Sequence, residues 1–209
     1  EYCNLSDNNA DGNTNCGILL FHSCNCIVER NNANNNGRQG IQLKEYSNGN
    51  TVSNNNVINN SYAIYLYFSS YSMISGNSVA NNKFGIQLSF SSYCFVSSNN
   101  STNNEYNIRL DDSSENTLRN NNMNSGSYNL GVSGTYLQQY IHDIDTSNIA
   151  NGKPVYYLIN QSYITIDPST YTAIGYLALV NSTSITVESL SVSNNRQGVL
   201  FAYTTNSRI

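Results

Sequence analysis

The sequence predicts an all-β parallel solenoid, one coil of short strands and turns wound repeatedly along a single axis. Three observations predict it. An apolar-x-apolar motif returns every 22 or 23 residues, the composition is led by 39 asparagines, and branched aliphatic residues fall into columns when the repeats are superposed.

Hydrophobic residues make up 39% of the 209 positions, enough for one ordinary domain, yet only 11% of the chain is charged. Polarity therefore comes from Asn, Ser and Thr, which disfavour helix interiors and exclude a helical bundle. The regular Ile, Val and Leu and the 17 Tyr exclude disorder, because disordered segments are short of β-branched and aromatic residues. Nine Lys plus Arg against 13 Asp plus Glu give a net charge of −4 with no basic stripe, so nucleic acid is not an expected partner. No apolar run reaches 18 residues and no signal segment opens the chain, so no membrane insertion is expected. The first residue is not Met, which reads as a processed product or an excised piece.

The repeats start at Gly17-Ile18, Gly40-Ile41, Ala63-Ile64, Gly85-Ile86, Asn107-Ile108 and Asn129-Leu130, with a further copy at Gly198-Val199. One inward column is Ile18, Ile41, Ile64, Ile86, Ile108, Leu130 and Val199; another is Leu20, Leu43, Leu66, Leu88, Leu110, Val132 and Phe201. A second strand contributes Val28, Val52, Ile74, Val96, Leu118 and Val187. A third contributes Ala33, Val57, Val79, Met123 and Val192. Three short parallel sheets around one narrow core are a parallel β-helix, with coils about 4.8 Å apart.

Asn31, Asn55, Asn77, Asn99 and Asn121 form a column where the second strand bends into the third. Asn tolerates the left-handed backbone such a bend requires, and stacked amides can bond from coil to coil, so an asparagine ladder is expected. Tyr62, Phe84, Tyr106 and Tyr128, each 22 apart, form an aromatic column.

The unit G-I-x-L-x-x-S-x-x-N-x-I-x-x-N-x-V-x-N-N resembles the right-handed parallel β-helix repeats of NosD-like proteins, which occur in large archaeal surface proteins. The run from Ile144 to Asn148, followed by Asn151-Gly152-Lys153-Pro154-Val155-Tyr156-Tyr157-Leu158, is similar to a module recurring in them. The resemblance implies a right-handed coil and an extracellular or cell-surface location. For activity it is unspecific, since sugar-processing, copper-site-assembly and structural members share the repeat.

The period holds over residues 1–132, breaks over 133–174 in a coil enlarged by a loop or hairpin, and resumes over 175–209 toward an open C-terminal edge. With no Gly/Ser-rich or Pro-rich linker, one domain covers 1–209. No polar cap closes either end. Written in succession, Ile209 and then Glu1-Tyr2-Cys3-Asn4-Leu5-Ser6-Asp7-Asn8 reproduce the pattern of Val52 to Asn60, which assigns Asn206, Ser207, Arg208 and Ile209 and Glu1 to Leu5 to end-to-end contact. The partner this suggests is another copy, stacked head to tail into a fibre, sheath or surface layer. A break in a longer tandem array fits the same pattern.

Polysaccharide hydrolases and lyases on this fold need paired carboxylates, and Asp111 and Asp112 are the one candidate pair, with Arg109, Glu115 and Arg119 nearby in sequence. A solvated salt bridge accounts for the same residues, so no catalytic residue is expected, and a carbohydrate-binding or -cleaving protein is the alternative. His142, Asp143 and Asp145 lack metal-ligand spacing and His22 lies far away in sequence, so no metal or other cofactor is expected. Of Cys3, Cys16, Cys24, Cys26 and Cys94, four crowd the first coils, which suggests disulfides there and a spare thiol; Cys94 also suits a small buried filler. Asn4, Asn59, Asn99, Asn100, Asn160 and Asn181 head glycosylation sequons. Phe68, Phe90, Tyr71 and Tyr93 sit one above another, suited to stacking a glycan, meeting a neighbouring rod or packing the turn.

Overall fold

The computed structural model describes residues 2–209. In chain order its strands begin β1 (Asn4–Ser6), β2 (Ile18–Phe21), β3 (Ile27–Glu29), β4 (Gln39–Lys44), β5 (Thr51–Ser53), β6 (Asn56–Ile58), β7 (Tyr62–Tyr67) and β8 (Met73–Ser75). There follow β9 (Ser78–Ala80), β10 (Phe84–Ser89), β11 (Phe95–Ser97), β12 (Asn100–Thr102), β13 (Tyr106–Asp111), β14 (Thr117–Arg119), β15 (Asn122–Asn124) and β16 (Tyr128–Ser133). After a 3-10 turn at Leu137–Tyr140 come β17 (Asp143–Ile144), β18 (Ile149–Ala150), β19 (Lys153–Ile159), β20 (Thr165–Ile166), β21 (Tyr176–Val180), β22 (Thr186–Val187) and β23 (Val199–Ala202).

Three sheets run along the rod. The first is β2, β4, β7, β10, β13 and β16, the second β1, β3, β5, β8, β11, β14 and β17, and the third β6, β9, β12, β15, β18, β19, β21 and β23. Period-two alternation sends one residue in two to the core. The predicted columns stack in register in the first sheet, as Ile41 on Ile18 and Ile64, and Leu88 on Leu66 and Leu110. Val28, Val52, Ile74, Val96 and Leu118 are fully buried in the second sheet, which Ile144 extends. Each buried Val, Leu or Ile contributes roughly 1.5–3 kcal/mol.

Sharp corners separate these strands, and each needs a left-handed residue. Such residues form columns of their own: Asp7, Arg30, Asn54, Gly76, Ser98 and Asn120 at one corner, His22, Glu45, Phe68, Phe90 and Asp112 at another. The expected left-handed role of Asn31, Asn55, Asn77, Asn99 and Asn121 is therefore corrected. The residue before each of them turns the chain, while the ladder Asn points its amide inward and bonds the next coil. A left-handed L-residue costs roughly 1–2 kcal/mol, which the amide bonds at each corner offset.

The ladder is longer than predicted. Asn8 donates through its backbone N–H to Asn31 Oδ1 at 2.9 Å, and Asn121 donates through Nδ2 to Asn148 Oδ1 at 2.8 Å. A second ladder, through Asn13, Asn36, Asn60, Asn82 and Asn104, lines the next corner. Ser69, Ser91 and Ser113 stack likewise through backbone N–H to Oγ bonds.

Beyond β18 the chain reverses. Asn151 and Gly152, with φ of 49° and 74°, make a two-residue hairpin that pairs β19 antiparallel to β18. From there β19, β21 and β23 are parallel to one another. Their sheet has two apolar faces. Val155, Tyr157, Tyr176, Ala178, Leu200 and Ala202 join the main core, while Leu177 and Leu179 pack on a second core with Ile166, Ile174, Ile185 and Val187.

Four column assignments change accordingly. Val199 and Phe201 pack against the second core rather than continuing the inward columns, because the reversed strand presents the alternate residues, Leu200 and Ala202, to the main core. Val187 lies on β22, paired with β20, and Val192 lies outside any strand against the second core.

Candidate functional site

Alternation along β13 turns Arg109 and Asp111 outward together. Register places Gln87 and Ser89 of β10 on one side of them and Gly131 and Ser133 of β16 on the other. Residues 194–197 lie along the otherwise unpaired edge of β16. Asn129 N–H donates to Asn194 O at 2.7 Å, and Arg196 N–H donates to Leu130 O at 3.3 Å. Gly131 permits this approach, since a Cβ there would sit 3.1 Å from Arg196 Cβ.

Asp111 is thereby enclosed by donors. Arg196 Nη1 donates to its Oδ1 at 3.1 Å, Gln87 Nε2 to its Oδ2 at 3.1 Å, and Ser133 Oγ to its Oδ1. Arg109 Nε lies 2.7 Å from Oδ2, but no N–H points along that line, so the contact is an ion pair without a directed hydrogen bond. The guanidinium of Arg109 also lies over the rings of Tyr106 and Phe84, at 5.2 and 5.5 Å. Asp112 occupies a left-handed corner, with φ of 46°.

The neighbours expected around Asp111 and Asp112 disperse. Glu115 accepts from Gln138 Nε2 at 2.6 Å, while Arg119 pairs with Asp143 and, at 3.2 Å, with Asp145. Glycosidic hydrolysis by two carboxylates requires an acid and a base or nucleophile facing one bond. Asp111 is held by two guanidiniums. Sequence reasoning missed Arg196, Ser133 and Gln87. Its one signal was Gly131, a gap in a column of longer side chains.

His142 points inward as the last member of a column that includes Cys26, Asn50, Cys94 and Asn116. Its Nδ1 accepts Asn116 N–H at 3.3 Å, and burial depresses its pKa to about 4. Alternation separates it from Asp143, which faces outward. Among the described residues no group of three His, Cys, Asp or Glu side chains converges.

The Cys3–Cys26 disulfide joins the first two coils, and Cys16, Cys24 and Cys94 are free. Cys94 is the buried filler of its column, its thiol pKa pushed up to about 11 by burial. Asn99 is corrected as a glycosylation candidate, because it is buried and its Nδ2 donates to Asn121 Oδ1 at 2.9 Å. Asn4, Asn59, Asn100, Asn160 and Asn181 are exposed.

Of the residues assigned to end-to-end contact, Glu1 lies outside the described residues. Tyr2 is exposed, and Asn4 and Leu5 pair with Ile27 and Val28 on the outermost strand of the second sheet, which corrects their alignment with Asn56 and Val57 of the third. At the other end, Arg208 bridges to Thr186, Ser207 Oγ accepts Ile185 N–H at 2.9 Å, Asn206 is exposed and Ile209 is 77% exposed. Because β23 runs opposite to β18, a copy placed there meets this edge antiparallel rather than as a continued coil.

The aromatic columns form as predicted. Ring centroids are 4.6 Å apart for Tyr62 and Phe84 and 5.2 Å for Phe84 and Tyr106. Phe68 on Phe90 and Tyr71 on Tyr93 stack with ring planes parallel within 7° and 5°. In these two pairs each ring covers one face of the other, and all four residues remain exposed.

Residues 1–93 match the family model described as periplasmic copper-binding protein (NosD), and residues 61–139 match that described as right handed beta helix region. The resemblance read from the repeats is thus borne out, and the coil is a right-handed β-helix. Among solved structures, the chain is similar to XylC in complex with xylose, with a TM-score of 0.52 and 14% identity over 86% of this chain and 34% of that one. It is also similar to a double mutant of the periplasmic alginate epimerase AlgG, with a TM-score of 0.53 and 15% identity over 100% of this chain and 47% of that one. The chain therefore spans about a third to a half of the length of these proteins, and the likeness is one of fold. No curated protein sequence matches it. The matched residues 1–93 do not fit a copper ion, which takes converging imidazole, thiolate or thioether ligands. Cys16, Cys24 and His22 stand on separate columns, and no three ligating groups converge among the described residues.

Proposed function

We propose that this chain is a structural β-solenoid, a non-catalytic rod that works outside the cytoplasm and associates end to end into a fibre, sheath or surface layer. The observation that supports this most is the state of Asp111. The one acid on the first sheet's outer face is neutralised by Arg109 and Arg196, and its lone pairs are filled by Ser133 and Gln87. A general acid or nucleophile needs a carboxyl group that can exchange a proton or reach a substrate. This one serves to fasten residues 194–197 to the rod.

The ends support the assembly reading. β1 and β2 are outermost in their sheets at one end and β23 at the other, and an outermost strand presents backbone donors and acceptors for pairing. The Cys3–Cys26 disulfide suits an oxidising compartment, and the NosD model describes periplasmic proteins. No helix among the described residues is long and apolar enough to cross a membrane. Sedimentation velocity over a hundredfold concentration range tests the proposal. Growth from monomer to open-ended oligomers is the expected result, and a single monomer boundary at every concentration, or cleavage of a polysaccharide under the same conditions, overturns it.

A further inference from the structure

On the first sheet's outer face, toward the N-terminal end, β2, β4 and β7 line a cleft of about 510 Å³. Register sets its walls. Leu19, Gln42 and Tyr65 are stacked neighbours, as are Phe21, Lys44 and Tyr67 two residues along. Leu19 and Phe21 are 48% and 49% exposed, an unusual apolar surface for the outward positions of a coil.

The charge of the cleft is opposite to that of the molecule. The chain carries a net −4, yet Arg38 and Lys44 stand at the two ends of the β4 wall. Among the described residues no carboxylate lies within ion-pair range of Arg38; Lys44 is 3.0 Å from Glu45 at the rim and rests over the Phe21 ring at 5.6 Å. From Arg38, just before β4, to Lys44 at its end, six residues set the two Cα atoms roughly 20 Å apart. Between them the Gln39 and Gln42 amides supply neutral donors and acceptors, and Phe21, Tyr65 and Tyr67 supply aromatic surface.

We infer that this cleft binds a linear uronate oligosaccharide, laid along β4 across the rod axis. A guanidinium holds a planar carboxylate through two parallel hydrogen bonds, aromatic rings take the apolar face of a pyranose, and amides meet ring hydroxyls. A span of roughly 20 Å between cations fits carboxylates some four sugars apart. The inference does not rest on end-to-end assembly, since the cleft opens sideways.

Isothermal titration calorimetry with a penta-galacturonate, a neutral penta-galactan of the same length and a sulfated galactan pentamer tests it. The expected result is binding of the uronate that weakens at least tenfold in Arg38→Gln or Lys44→Gln and falls steeply with salt. Lys83→Gln, on another coil, should leave it unchanged. Both cleft cations are on the surface, so thermal melting should match the parent. Equal binding of the neutral pentamer, preference for the sulfated one, no uronate binding, or insensitivity to both substitutions overturns the inference.

Discussion

Replacing Asn77 by Ala removes one rung from the middle of the first ladder. Asn77 Oδ1 accepts from both the backbone N–H and Nδ2 of Asn55, each at 3.0 Å, and its own Nδ2 donates to Val52 O at 2.9 Å and Asn99 Oδ1 at 3.0 Å. Ala leaves the buried Asn55 N–H without a partner and deprives Val52 O of a donor. A stranded buried donor costs about 1–3 kcal/mol and each lost bond about 1 kcal/mol, so the variant should lose about 3 kcal/mol. For a chain of this size that lowers Tm by roughly 6–12 °C. Asn122→Ala, at an exposed Asn two strands further along the third sheet, should stay within about 0.5 kcal/mol. Urea unfolding followed by circular dichroism measures both, and hydrogen exchange at the Asn55 amide shows whether damage begins at the stranded donor. Equal cost for the two variants, or unchanged exchange at Asn55, would refute the assignment of corner stability to the amide ladder.

His142, the Cys3–Cys26 disulfide and the latch that residues 194–197 form along β16 give further expected outcomes. His142 has a folded pKa near 4, below its unfolded value of about 6.5, so its contribution is present above pH 6.5 and is lost as pH falls toward 4, by about 3 kcal/mol in all. His142→Asn, which repeats the residue at Asn50 and Asn116 in the same column, should remove that pH dependence from the urea midpoint. Reducing the Cys3–Cys26 disulfide, which spans 23 residues, should cost roughly 3 kcal/mol locally; limited proteolysis should then cut before residue 31 while the later coils resist. Asp111→Asn leaves two guanidiniums without their shared counter-charge and should cost about 2 kcal/mol, less than a fully buried pair because both retain solvent contact. Faster hydrogen exchange at Asn129, whose N–H is covered by Asn194, would report the latch loosening; unchanged exchange there would separate Asp111 from the latch.

The inward columns were legible because a 22-residue period and a two-residue alternation coincide: Ile64, Ile86 and Ile108 can occupy only one position in the coil. The left-handed corners were not. Asn fills both the turning position and the ladder position in Asn54-Asn55 and Asn120-Asn121, and the two roles separate where Asp7, Arg30, Gly76 or Ser98 takes the first. The reversal after Asn151-Gly152 was hidden for a similar reason. β21 reads Tyr-Leu-Ala-Leu-Val, apolar on both faces, so its pattern cannot show which residues meet which core. Asp111 was found by its charge, but its meaning depends on Arg196, 85 residues away, which reaches it only because Gly131 leaves room.

The measurement that bears most directly on the proposed role is negative-stain electron microscopy of dilute and concentrated samples, with and without reductant. The structural reading predicts unbranched fibres one rod wide that lengthen with concentration, with an axial repeat equal to one rod's coil stack. Separate short rods of uniform length at every concentration would contradict it.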